Sequence, residues 1–513
     1  MANNWEQLNQ KTIELFQEGK YEEALAAANE AVEYARAGSD RSRLALAVGN
    51  LGEMYQTLGD LLNAEQAKKE AVELCTEAYG GEHPETATAL YSLAVLYMEM
   101  GRFHQAEKLL RQELAVREKC QGEDSPELVQ SLVGIAESLR AQGGSGEERV
   151  LLQRAADILE KTFGDTNPEL GPVLVSLSDT YQEENELEEG GTLLRRAIKL
   201  YEDTVGPGHP AFVEALSKLG ENYMARRLYQ AAEALFEQAV GLLEEVFSPE
   251  EPEIARLLEK LVEVYMAVGK GDKVEDTLKR ALEIYKNALG EQDPAVAQVQ
   301  NMLGEFYFDQ DKSEEAKPLY ESALKIREKA LGGDHPAVAQ SLNNKAVLLS
   351  KEGNLREAEK LHKRALDIRR KAFGAKHLVL TQSLENLAGV YQGLEQYAKA
   401  EKLLEEAISV WEENVGMNHR SIAEDCYNLG GLLFADGKYD EAETVLHRAR
   451  QILVDMYGRD HLNVCAVYNA LSAVAEKKGH VSESREYMAR VARIYKQEWA
   501  RMDAEKEKEQ GKK

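Results

Sequence analysis

Apolar residues recur along this chain at helical spacing, in short paired blocks. The stretch from His335 to Gly374 shows the pattern most cleanly. Val338, Leu342, Ala346 and Leu349 fall on one helical face. Pro336 opens that helix, because its fixed φ and missing N–H suit a first turn. Gly353 ends it. A second helix is predicted from about Arg356, with Ala358, Leu361, Ala365, Leu366 and Ile368 on its apolar face and Phe373-Gly374 at its close. The small Ala346, Ala358 and Ala365 let the two helices approach closely. Two such helices cannot bury their apolar faces alone, so the pair requires neighbours.

The neighbours are copies of itself. Pro336 recurs at Pro84, Pro126, Pro168, Pro210, Pro252 and Pro294, always in steps of 42 residues. Forward of it the register continues without proline through Leu378, Arg420 and Leu462. Other columns agree, such as Leu93, Leu219, Leu303 and Leu387, with Tyr97, Tyr223, Tyr307 and Tyr391 four residues on. An alanine column (Ala155, Ala281, Ala365, Ala449) and a closing glycine column (Gly122, Gly290, Gly374, Gly458) complete the unit. Repeats at such a period mean a stacked array. The reading is one array over 1–502, with units at about 1–40, 41–82, 83–124, 125–166, 167–208, 209–250, 251–292, 293–334, 335–376, 377–418, 419–460 and 461–502. A charged tail, 503–513, is expected to fray. The pattern is weakest at 143–191, where GGSGEE replaces the usual aromatic entry and Gly190-Gly191 fall inside a helix. A local hinge and tolerated drift at a surface turn both fit.

Composition narrows the function. Lys and Arg number 62 and Asp and Glu 90, for a net charge of −28 over 513 residues. That balance argues against nucleic acid and against an anionic membrane as partners. Four cysteines without C-x-x-C spacing read as reduced thiols, and the N-terminal stretch lacks the features of a secretory signal. No apolar run approaches the ~18 residues that span a bilayer. The expected location is cytoplasmic.

A tandem helix pair with small residues at fixed places resembles the tetratricopeptide repeat family; Leu387-Ala388, Tyr391, Ala400 and Ala407 match its signature columns. The 42-residue length and the Gly-x-x-His-Pro connector are similar to the repeats of kinesin light chain, most clearly at 331–374. The resemblance implies an all-α, right-handed superhelical solenoid of about twelve antiparallel helix pairs, with no sheet. It further implies a protein–protein interaction scaffold that binds a partner peptide in a concave groove lined by the first helix of each pair. A sensor whose superhelix changes pitch on binding a peptide is the alternative. Kinesin light chain also carries a heptad segment; no a/d heptad run occurs here, so a motor-subunit role is not expected.

Catalytic chemistry finds little support, and no enzyme is expected. His83, His209, His335, His377, His419 and His461 share the column before the proline, one per connector, where capping residues stand in other units. His104, His362, His447 and His480 show no metal-ligand spacing. No phosphate loop or nucleophile elbow is present. No cofactor or metal is expected.

Two column patterns carried over to the groove are candidate sites. Glu137, Asp179, Glu221, Glu263 and Glu305 hold an acidic residue at one place in five successive units. They read either as a wall for a basic partner segment or as locally paired charges, Lys218 with Glu221 and Lys260 with Glu263. Later units turn neutral: Gln298, Asn301 and Phe308; Gln340, Asn343 and Asn344; Gln382, Asn386 and Gln392; Tyr427 and Asn428. Amides both donate and accept, so they can hold an extended peptide backbone of any sequence. They could equally bond helix to helix within the array. Trp5 and Phe16 at one end, with Tyr487 and Tyr495 at the other, leave the oligomeric state open.

Overall fold

The computed structural model describes residues 2–510 apart from Ser145 and Phe247, with side chains from Trp5 to Arg501. The described residues form twenty-four α-helices and two short 3-10 turns, with no strand among them. Two compact units result: Met1–Pro249 with Glu263–Gly269, and Glu250–Val262 with Lys270–Lys513. The boundary thus runs through α13 (Pro252–Val268), away from 143–191.

The first unit holds α1 (Ala2–Gln17), α2 (Tyr21–Ala37), α3 (Arg41–Thr57), α4 (Leu61–Tyr79), α5 (Pro84–Glu99) and α6 (Phe103–Gln121). It continues with α7 (Val129–Ala141), α8 (Glu147–Phe163), α9 (Leu170–Glu183), α10 (Leu187–Thr204), α11 (Pro210–Ala225) and α12 (Tyr229–Val246). The second unit holds α14 (Gly271–Leu289), α15 (Pro294–Asp309), α16 (Ser313–Leu331), α17 (Pro336–Lys351), α18 (Leu355–Phe373) and α19 (Val379–Gly393). It ends with α20 (Tyr397–Val415), α21 (Arg420–Ala435), α22 (Tyr439–Tyr457), α23 (Cys465–Lys477) and α24 (Val481–Gln510). In each unit an odd helix packs on the even helix after it, and that helix packs on the next odd one. Each unit is an all-α stack of helix pairs, as the repeats imply.

Local chemistry sets the helix ends. The imidazoles of His83, His209, His335, His377, His419 and His461 cap helices, each Nδ1 accepting from the backbone N–H two residues on at 3.1–3.3 Å. Asp293 does the same for Ala295 at 2.8 Å. The turn inside each pair requires a left-handed residue. Gly353 supplies it at φ 82°, while Asn185, Arg227, Asp311 and Glu395 adopt it at 58–62° without glycine's freedom.

Packing inside a pair follows a size rule between residues sixteen apart. Gly220 faces Phe236, Gly304 faces Tyr320 and Gly430 faces Leu446, and a Cβ on any of these glycines would lie 2.6–2.7 Å from the large side chain. Where the second helix carries an ordinary leucine, as at Leu110 or Leu404, the first carries Ala94 or Ala388, all buried. Glycine thus stands opposite both aromatic knobs, Phe236 and Tyr320, and opposite Leu446, while alanine suffices opposite Leu110 and Leu404, so the interior keeps its density.

Gly190 and Gly191 follow the same logic. Both are buried in α10; a Cβ on Gly191 would meet Asn222 Oδ1 at 2.8 Å and one on Gly190 would meet the Ser178 carbonyl at 3.1 Å. At both positions the missing side chain permits close helix approach on both sides. Around them Gly143, Gly144 and Gly146 take positive φ. At the C-terminus α24 continues to Gln510. The side chains of the charged tail lie outside the described residues.

Candidate functional site

The amide columns of the second unit divide by one residue of register. Asn301 on α15 and Asn343 on α17 are buried, 1% and 3% exposed. Asn301 Nδ2 donates to Ser341 Oγ at 2.8 Å, and Asn343 Nδ2 donates to Ser383 Oγ at 3.0 Å. Arginines from the second helices close each junction. Arg327 donates to Ser341 Oγ and the Ala337 carbonyl, and Arg369 to Ser383 Oγ and the Val379 carbonyl. His362, 1% exposed, bonds through Nδ1 to Asn343 Oδ1 at 2.8 Å. Asn301 and Asn343 are thus internal ties between repeats, because each donor is used by the neighbouring helix and shielded from any ligand. Of the two roles the sequence leaves open for them, peptide contact in the groove and bonding from helix to helix, these bonds are of the second kind.

Gln298, Gln340 and Gln382 stand one helical turn earlier at the mouths of these junctions, the first two partly exposed and Gln382 exposed. Gln298 and Gln340 accept from Arg327, and Gln382 lies 3.5 Å from Arg369 Nη1. Phe308 is half-covered by the Lys351 ammonium, 4.5 Å from its ring centre.

The next column turns outward. Asn344, Asn386 and Asn428 occupy one place on the successive first helices α17, α19 and α21. Asn344 is held by Glu305, to which its Nδ2 donates at 2.5 Å. Asn386 is partly exposed, and Asn428, Gln392 and Tyr427 are exposed. Tyr427 and Asn428 line a pocket of about 240 Å³ with Glu424, Leu453 and Asn463. Amide, phenol and carboxylate meet an apolar floor there, an arrangement that suits a main chain together with one side chain.

The acidic column is less bare than its sequence suggests. Asp179 on α9 accepts from Arg140 at 2.9 Å and from Lys218 at 2.7 Å, so Lys218 reaches back across the repeat instead of pairing with Glu221. Glu221 and Glu263 are engaged with neighbours. Glu305, in the second unit, is tied by Asn344, and burial pushes its carboxyl up. Glu137 is exposed at the rim of a first-unit cavity of about 900 Å³, whose apolar walls raise its carboxyl as well.

Sequence reasoning missed an ion pair between a buried lysine and an exposed glutamate in the first unit. Lys68 on α4, 2% exposed, takes the knob position opposite Gly52; its ammonium lies 2.8 Å from Glu53, which also accepts from Ser92 Oγ at 2.7 Å. The pair floors a pocket of about 460 Å³ beside Trp5 and Leu46. The available signal was a lysine in a column held elsewhere by leucine in six units and by Ala28, Phe236, Tyr320, His362 and Met488.

Cys75, Cys426 and Cys465 are buried free thiols, and Cys120 is exposed. No helix among the described residues is long and apolar enough to cross a membrane.

Known proteins supply the frame for these features. No curated protein matches the chain. Among solved structures it is similar to BtubC (BKLC) from P. vanneervenii, at 26% identity over 44% of this chain and 90% of that one, with a TM-score of 0.39. It is also similar to the nearly identical repeats of a Podosopora anserina putative kinesin light chain, at 24% identity over 40% and 96%, TM-score 0.37. Cut9 with Hcn1, from the APC/C, matches at 13% identity over 92% and 96%, TM-score 0.41. The tetratricopeptide repeat profile matches residues 42–119, 89–161, 169–245, 253–329, 295–371, 338–413 and 423–497. With those matches running over most of its length, the chain belongs to the tetratricopeptide repeat family.

Proposed function

We propose that this chain, a tetratricopeptide interaction scaffold, binds an extended segment of a partner protein along α17, α19 and α21 of its second unit. The observation that carries the reading is the asparagine column: Asn386 and Asn428 stand in register at the surface, beside the pocket of Tyr427. Amides repeated from one first helix to the next can bond peptide groups several residues apart along an extended segment, whatever the side chains between them. The pocket then selects one of those side chains. A basic partner segment gains no support from Asp179, whose charge is already met by Arg140 and Lys218.

The test is affinity capture of partners by the wild-type chain and by Asn386→Ala plus Asn428→Ala, followed by titration of the captured partner. The variant should melt like wild type and bind about fivefold to thirtyfold more weakly, the effect of losing one or two net hydrogen bonds at ~1 kcal/mol each. Equal capture and equal affinity would remove the asparagine column from the site.

A further inference from the structure

Glu443 and His447 stand four residues apart on α22 and so share one face of that helix. The fold brings Glu483, from the first turn of α24, to the same place. The imidazole and the two carboxylates offer one ligand atom each, and these atoms lie within 4.8 Å of one another at partly buried positions. A second observation points the same way. His447 Nδ1 is sealed from solvent and has no hydrogen-bond partner among the described residues. A ring nitrogen sealed from solvent and left unbonded is costly unless something fills the gap.

We propose that Glu443, His447 and Glu483 bind one divalent transition-metal ion, for which zinc is the best match. One imidazole nitrogen and two carboxylate oxygens form a borderline donor set that favours zinc over calcium or magnesium, with water as fourth ligand. The ligand atoms of a tetrahedral zinc site lie roughly 3.4 Å apart, so the carboxylates close in slightly on binding. An outer layer is already in place. The Tyr487 hydroxyl donates to Glu483 Oε1 at 3.1 Å and fixes its orientation. His480 Nδ1 lies 3.6 Å from Glu483 Oε2, near enough to support or replace the water.

One neighbour competes. The Lys478 ammonium sits 2.6 Å from Glu443 and 2.6 Å from Asp440. Binding of the ion displaces it from Glu443 and leaves it with Asp440. Since the ligands come from α22 and α24, the ion staples the closing helix to the array.

Zinc chloride alone, titrated by calorimetry into the full chain free of any histidine tag, tests the site. Wild type should bind one equivalent and melt at higher temperature with zinc than without. His447→Gln and Glu483→Gln should each weaken binding at least about tenfold and abolish the zinc-dependent rise in Tm, with zinc-free melting kept near wild type as the check on folding. Lys478→Met should tighten binding, which a merely structural role for that lysine would not produce. Absence of binding to wild type overturns the proposal. So does binding that both glutamine variants leave unchanged, because the ion would then sit elsewhere, for instance on the connector histidines.

Discussion

Asn343 on α17 donates to the Ser383 hydroxyl on α19 at 3.0 Å, tying one repeat to the next through a bond hidden from solvent. Its neighbour in sequence-level reasoning, Asn386, stands at the surface. The two asparagines should separate in experiment. Asn343→Ala strands the Ser383 and His362 partners and should cost about 1–3 kcal/mol of stability. Asn386→Ala should stay within ~0.5 kcal/mol while weakening the partner complex. Denaturant melts of both variants decide this, and equal losses would place both residues in one role.

Gly304 and Tyr320 make a second pair whose coupling is measurable. A Cβ at 304 would lie 2.6 Å from the tyrosine ring, so Gly304→Ala should destabilise by about 1–3 kcal/mol. Adding Tyr320→Leu reproduces the Ala94–Leu110 arrangement and should recover part of that loss. A double-mutant cycle reads the interaction directly. Strict additivity would mean that the size rule between residues sixteen apart is accidental.

His362 gives the second unit an acid-sensitive point. Burial, reinforced by the Arg369 charge, lowers its pKa to about 4 from an ordinary value near 6.5. The unfolded chain therefore takes up the proton first as pH falls. The stability tied to the neutral ring is whole above about pH 6.5 and drains away down to about pH 4, by roughly 3 kcal/mol in all. His362→Leu, the residue of that column in six other units, should flatten the profile over this window. An unchanged slope would show that other groups govern it.

Asp425 gives the opposite slope. It occupies the place of Ser341 and Ser383, is 2% exposed, and has one carboxylate oxygen without a partner. Burial, then the charge of Glu385, holds its carboxyl above the usual range. Here the folded state keeps the proton longer than the unfolded chain does. Its stabilising share is present below about pH 4 and is lost as pH rises toward and through neutrality. Asp425→Ser should raise stability at pH 8 by about 1 kcal/mol or more and remove this decline. A variant less stable than wild type at pH 8 would contradict the assignment.

Glu395 holds the left-handed turn between α19 and α20 at φ 59°, where Gly353 and Gly437 stand in the flanking units. Glu395→Gly should add about 0.5–1 kcal/mol, since relief of backbone strain outweighs the extra freedom of the unfolded chain. A thermal melt measures it, and a lower Tm would show that the side chain earns its place.

The sequence by itself determined the period, the helix pairs and their caps. Those depend on chemistry within a few residues: a proline at N1, an imidazole over the first turn, a glycine where φ is positive. It could not say which way each groove residue points. Asn343 and Asn344 are adjacent, yet a step of about 100° around the helix turns one onward to Ser383 and the other back to Glu305. Only the packing of α17 against α18 and α19 decides that rotation. Asp179 and Lys218 met for the same reason, because their partnership crosses repeats and no local spacing encodes it. His447 shows no ligand spacing to another histidine or cysteine along the chain, and its companion Glu483 arrives on another helix. Local bonding is written along the chain, whereas convergence of distant side chains exists only once the helices stack.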